Sequence, residues 1–209
     1  MPRVVDKREK AEQIGAAAIG VLRRLGYHRA RMQDIATAAG VGKGTLYEYF
    51  SNKDEIFRFE FGRYFEAFEA GALRAMTAAP SPAGRLLALV RFAFDHVSEW
   101  EDHCAVYVDY FGSARPDEDD AFSLDPIYGA IESHIRELIE AGQAQGEISA
   151  EIDASAGAEL LVSIFDGIVL HGVFAKRSNT ALLRDTALRM LEHGMLTVRG
   201  AQGAASRGV

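Results

Sequence analysis

Cysteine is almost absent from this chain. Cys104 is the sole copy among 209 residues, which excludes an internal disulfide framework and any multi-cysteine zinc site. Proline is scarce as well. Its five copies stand at 2, 80, 82, 116 and 126, and because proline interrupts helix interiors they act as punctuation. Long proline-free stretches remain at 3–79, 83–115 and 127–209. No uninterrupted apolar run approaches the roughly 20 residues that span a bilayer. The first ten residues are charged rather than apolar, so no secretory leader and no membrane partner are expected, and the compartment is read as cytoplasmic. No stretch alternates polar and apolar residues with period two, which argues against a sheet. Neither a His-Glu-x-x-His nor a Glu-x-x-His pattern occurs, and His96, His103, His134 and His171 are scattered singly. The expectation is therefore no metal and no other cofactor.

What is present is charge of two signs in two places. The formal net charge is −7. Residues 1–55 sum to +3 and residues 56–209 to −10, a weakly basic head on an acidic body. A basic patch neutralises phosphates, while an acidic body disfavours non-specific wrapping of DNA.

Apolar residues recur at three- and four-residue steps throughout, the period of an amphipathic helix. The first helix is expected over Lys7 to Leu25, with Gly26 as its stop. Two short helices fit between Met32 and Phe50. A long helix starts near Lys53, with Ser51 and Asp54, or Asn52 and Glu55, as capping pairs. Its stripe is Phe57, Phe61, Tyr64, Phe65 and Phe68. Further helices are expected at about 83–100, 102–113, 126–145, 153–176 and 180–197, with an acidic loop from Ser113 to Asp125 and a small, polar, disordered tail at 200–209. The fold class is all-α, with about nine helices. The expected domains are 1–52, 53–199 and the tail.

The stretch from Gly26 to Phe50 carries the chemistry. Ile35, Ala36 and Ala39 make one face of a short helix, and Gly40 supplies the left-handed turn that ends it. Val41 plugs the turn. Leu46 and Phe50, four apart, turn a second short helix inward and leave Lys43, Thr45, Tyr47 and Glu48 outside. This is the layout of a helix-turn-helix, whose second helix enters the major groove.

Ile35-Ala36, Ala39-Gly40-Val41, Lys43-Gly44-Thr45-Leu46-Tyr47, Tyr49-Phe50 and Lys53 together resemble the TetR family of transcriptional regulators. The resemblance covers about 50 residues. It implies DNA contacts from Lys43, Thr45 and Tyr47 on the recognition helix, with Tyr47 on a phosphate. Lys53 is placed on a backbone phosphate. Gly44 permits close approach to DNA, Glu48 and Tyr49 tune the operator sequence, and Gln33 touches phosphate or a base edge. Two positions depart from the family pattern. Arg31 stands where Ser or Thr caps the second helix, and Gly42 where Ser is common; Arg31 would offset its missing cap by a phosphate contact.

The same resemblance implies a C-terminal helical bundle that binds an effector and dimerises. Candidate effector contacts are Phe61, Phe65, His96, Trp100, His103, Cys104, Tyr107, Asp109, Phe111, Phe165 and Asp166, where aromatic and polar groups mix on inner helices. Packing of the aromatic residues in the core, and an outer face for Asp109 and Glu101, are the competing readings. If Asp109 or Asp166 faces the pocket, a cationic or hydrogen-bond-donating ligand is favoured. Leu160, Leu161, Ile164, Phe165, Ile168, Leu183, Met190, Leu191 and Met195 present more apolar surface than one chain buries, which predicts a two-fold homodimer through about 153–197. The functional expectation is a repressor released from a near-palindromic operator by a small molecule, and not an enzyme. Two alternatives stand beside it. Gly40 to Thr45 superficially resembles a phosphate loop but follows no strand. An all-α enzyme or carrier would need a nucleophile-base constellation, which the sequence lacks.

Overall fold

A computed structural model describes residues 7–113 (side chains to 110), 124–175, 179–194 and 196. The acidic loop after Ser113 and the tail at 200–209 lie largely or wholly outside the described residues. Nine helices occur among the described residues: α1 (Lys7–Leu25), α2 (Met32–Ala38), α3 (Lys43–Tyr49), α4 (Lys53–Thr77), α5 (Pro82–Asp95), α6 (Val97–Ser113), α7 (Asp125–Ala144), α8 (Ala154–Phe174) and α9 (Thr180–Gly194). Ile148 and Leu196 form an isolated antiparallel bridge.

The helix starts follow local hydrogen-bond chemistry. Ser81 accepts from the Gly84 N–H at 3.2 Å with Pro82 next in line, a pairing that suits the first turn because proline has no N–H to leave unsatisfied. Asp153 caps α8 through the Ala156 N–H at 2.8 Å, and Asn179 caps α9 through the Leu182 N–H at 2.9 Å. At α4 the capping pair is Asn52 with Glu55: Asn52 Oδ1 accepts from the Glu55 N–H at 2.8 Å, and the Glu55 carboxylate reaches back to the Ser51 N–H at 2.7 Å. Asp54 has other work, described below.

One boundary departs from expectation. The helix expected over about 83–100 stops at Asp95, and the next begins at Val97. His96 sits between them at φ −107°, ψ 9°, and its imidazole Nδ1 lies 2.8 Å from the Phe92 carbonyl oxygen. The His96 backbone N–H reaches the same carbonyl at 3.2 Å and the Ala93 carbonyl at 3.3 Å.

The chain forms two compact units. One holds Met1–Ala67 and Glu101–Phe122, the other Phe68–Trp100 and Ser123–Val209. Both α4 and α6 are therefore divided between units. In the first unit, Ile14, Ala18, Val21 and Leu22 of α1, Ile35 and Ala36 of α2, and Leu46 of α3 are buried, as are Phe50, Ile56, Phe57 and Phe61. Glu60 is buried as well, at 3 % exposure. Its carboxylate is bound bidentately by Arg63, at 2.9 and 2.5 Å, and it occupies the space a side chain at Gly15 would need. In the second unit, Ala83 and Leu86 of α5, Ile135 and Ile139 of α7, Ile148, and Ala158 and Val162 of α8 form one cluster. Ala72, Met76 and Leu138 form another, with Phe92 packed against it. Gln143 closes the loop between α7 and α8 by donating to the carbonyls of Ser149 and Ile152 at 3.0 and 2.7 Å.

Candidate nucleic-acid interface and effector site

Helix α2 starts with a residue that cannot cap it. A guanidinium has no acceptor, so Arg31 leaves the first-turn amides without a side-chain partner. The reciprocal half of a capping box is present instead. Asp34, at the third helical position, accepts from the Arg31 backbone N–H at 2.9 Å. The carboxylate also sits favourably at the positive end of the helix. Gly40 then turns the chain with φ +65°, a conformation that costs any residue with a Cβ roughly 1–2 kcal/mol. The Val41 N–H closes the turn on the Ala36 carbonyl at 3.0 Å.

Helix α3 is anchored by Leu46, which is fully buried, and is followed by buried Phe50. Lys43, Gly44, Tyr47 and Glu48 are exposed, and Thr45 and Tyr49 half-buried. The Lys43 ammonium lies 5.9 Å from the Tyr47 ring centroid, so a cation and a phenol share one patch. A Cβ built on Gly44 meets nothing within 4 Å. The fold therefore does not demand glycine there, and the space it leaves is outward. Arg31 and Gln33 are exposed on α2, where the Gln33 amide lies 3.5 Å from Thr37 Oγ1. Lys53 is turned inward: its Nζ donates to the Tyr27 carbonyl at 2.6 Å, lies 3.5 Å from the Ala30 carbonyl and stands 4.5 Å over the Tyr27 ring.

The effector candidates divide between the two units. In the first, α4 and α6 run against each other as an aromatic ladder. His103 stacks on Tyr64 at 3.9 Å, Tyr107 on Phe61 at 5.7 Å, and Tyr110 contacts Phe57 at 5.3 Å. Phe65 joins through Phe61 at 4.8 Å. Cys104 is half-buried. Asp109 accepts a hydrogen bond from the Tyr27 backbone N–H. The Phe111 side chain lies outside the described residues.

In the second unit, Trp100 meets Phe68 at 5.1 Å and Phe165 at 6.2 Å, both edge-on. Phe68 and Phe92 both contact His96. Phe92 packs into the notch at Gly71, where an added Cβ would fall 2.5 Å from the ring. Asp166 faces α7. Burial raises its carboxyl above the usual range, the Glu132 charge adds to that, and a hydrogen bond with Tyr128 opposes it. Among the described residues, no three His, Cys, Asp or Glu side chains converge as metal ligands would.

The sequence reading gives no site role to Tyr27 or Tyr128, names Asp54 only as a capping residue, and leaves Phe68 and Phe92 among the apolar stripes. Tyr27 was hidden by its place after Gly26, where an aromatic residue reads as part of a turn. The others lay on apolar stripes or carried nothing to set them apart from solvated polar residues.

Residues 14–58 match the family described as bacterial regulatory proteins, tetR family, and residues 82–195 match the C-terminal domain of BetI-type transcriptional repressors. The fatty acid metabolism regulator protein of Bacillus subtilis (strain 168) is 40 % identical over 76 residues, 34 % of this chain and 39 % of that protein. The matched stretches thus span about two fifths of the first curated relatives. Among solved structures, a transcriptional regulator from Saccharomonospora viridis in complex with choline superposes with a TM-score of 0.78 at 21 % identity, covering 91 % of this chain and 99 % of that one. AibR in complex with isovaleryl coenzyme A and operator DNA gives 0.68 at 22 % identity, covering 87 % and 97 %.

Proposed function

Because the chain belongs to the TetR family of bacterial regulatory proteins, we propose that it is a sequence-specific DNA-binding transcriptional regulator, a repressor released from its operator by a small-molecule effector. The observation that carries this reading is the surface of α3. Leu46 holds the helix down, while Lys43, Tyr47 and Glu48 stand exposed beside a glycine whose missing side chain the interior does not require. Lys43 and Tyr47 supply phosphate affinity and its salt dependence, and Glu48 and Tyr49 supply selectivity. Arg31 and Gln33 flank the patch on α2.

The active species is a homodimer through α8 and α9. Leu160 on α8 is 60 % exposed, and Phe174 and Met190, at 70 % and 71 %, are more so. By length and composition α8 is apolar enough to cross a membrane. Glu159, Asp166 and His171 interrupt it, and a facing helix pair from a second copy satisfies its apolar face better than lipid does. A two-fold dimer sets two copies of α3 about 34–36 Å apart, in successive major grooves of a near-palindromic operator.

The effector enters among the aromatic residues of the middle helices. The solved relatives hold ligands of opposite charge, choline in one and an acyl coenzyme A in another, so the class of effector does not pass to this chain by likeness. Release requires that the effector bind the two head arrangements unequally. The protein acts in the cytoplasm and catalyses no reaction. The test is a selection of source-genome fragments on the purified protein at near-physiological salt, with excess non-specific competitor. One enriched near-palindrome is the expected result. A flat profile for the purified protein, and again with a cell-extract metabolite fraction added, would sink the reading.

A further inference from the structure

Tyr27 is gripped on every side, and all its partners lie in the first unit. Its backbone N–H donates to Asp109 Oδ2 on α6, and its hydroxyl donates to Asp54 Oδ1 on α4. Its carbonyl accepts from Lys53 Nζ at 2.6 Å. Its ring meets Tyr110 at 4.7 Å and Phe57 at 6.0 Å, both edge-on. The residue is buried, and burial together with Asp54 pushes its phenol well above the usual range, which keeps it a proton donor.

The position of these contacts in the chain matters more than their number. The helix-turn-helix runs from Met32 to Tyr49. Tyr27 lies at its entry, and Lys53 and Asp54 at its exit. Entry and exit are thus bonded to each other, and Asp109 of α6 holds the entry. A second carboxylate on α6, Asp102, lies two helical turns before Asp109 and pairs with Arg23 of α1. At the turn itself, a Cβ on Gly26 would meet Asp109 Oδ2 at 3.3 Å and the Arg29 guanidinium at 3.7 Å. The α6 helix therefore presents acidic groups, at two-turn spacing, to the cationic end of α1.

We propose that Tyr27 is a positioning residue for DNA binding, with Asp109 the handle by which α6 sets the pose of the whole helix-turn-helix, and Lys53 part of the same clamp rather than a phosphate contact. The proposal rests on the DNA-binding reading above.

The test uses the full-length protein and the duplex recovered in the genomic selection, with affinity measured across a salt series. Asp109→Ala, Asp109→Asn, Lys53→Ala and the Asp109→Ala/Lys53→Ala pair are compared with wild type, each at a temperature well below its melt. Asp109→Ala weakens binding about tenfold, the loss of one charge-assisted hydrogen bond at a positioning site. Asp109→Asn, whose amide oxygen still accepts from the Tyr27 N–H, stays within about twofold. The double variant binds no worse than the weaker single one, because both changes break one clamp. The slope of log affinity against log salt stays at the wild-type value in each, whereas Lys43→Ala lowers it by about one. Wild-type affinity in Asp109→Ala, additive losses in the double variant, or a lowered slope in Lys53→Ala overturns the proposal. A wild type that binds no duplex fails the DNA-binding reading before any variant is compared.

Discussion

Two exposed surfaces of this molecule differ in chemistry. Helix α3 shows Lys43, Tyr47 and Glu48 to solvent and hides Leu46. Helices α8 and α9 show Leu160, Ile164, Phe174, Leu182 and Met190. A polar and aromatic face of seven residues suits a hydrated polyanion, where each contact replaces water and counterions. An apolar face over two long helices suits a dry partner, where area removed from water supplies the stabilisation. Exposure alone does not distinguish a surface from an interface; the chemistry of what is exposed does.

The sharpest way to break this comparison is Tyr47→Ala. Operator binding should fall below detection at near-physiological salt in a gel-shift or anisotropy titration, with sedimentation still giving the wild-type assembly. Binding that survives would move the recognition surface off α3. Next in size is the reverse experiment, Phe174→Glu with Met190→Glu. Sedimentation should shift to a monomer while circular dichroism keeps its helical signal, and operator affinity should fall with the lost second half-site. An unchanged sedimentation profile would remove α8 and α9 from the interface.

A smaller effect tests the turn beneath α3. Gly40→Ala forces a side chain into φ +65° and should lower unfolding stability by about 1–2 kcal/mol, read by denaturant titration. The smallest effect belongs to Asp166. Its folded carboxyl titrates above its unfolded value, so its contribution is complete below the unfolded pKa of about 4 and is lost as pH rises through the raised one. Asp166→Asn should therefore melt above wild type at neutral pH, with the gap narrowing towards about pH 4. A gap independent of pH would mean that the carboxyl ionises as easily in the fold as in the open chain.

Much of this was legible in the residues. The span of α1, the turn at Gly40 and the buried pair Leu46 and Phe50 all followed from spacing and from glycine. The compensation at α2 was less visible. Arg31 was read as a lost cap, but Asp34 three residues later already carried the acceptor. The split at His96 is not legible in the sequence because the apolar stripe continues through it. Lys53 shows the limit most plainly. The family resemblance places it on a phosphate, and in the fold its ammonium lies on Tyr27. How these residues behave on DNA is decided by the salt series above.

The sequence by itself determined much of what depends on neighbours a few positions away: where most helices run, the glycine turns, and which side of each helix is apolar. Local backbone energetics and a 3.6-residue period are enough for that. Only the tertiary structure decided that Tyr27 joins α1, α4 and α6, since its partners lie 26, 27 and 82 positions distant. It likewise paired His103 with Tyr64 and Tyr107 with Phe61. Contacts of that range are chosen by packing, where shape and burial over the whole core select one partner among many chemically equivalent ones.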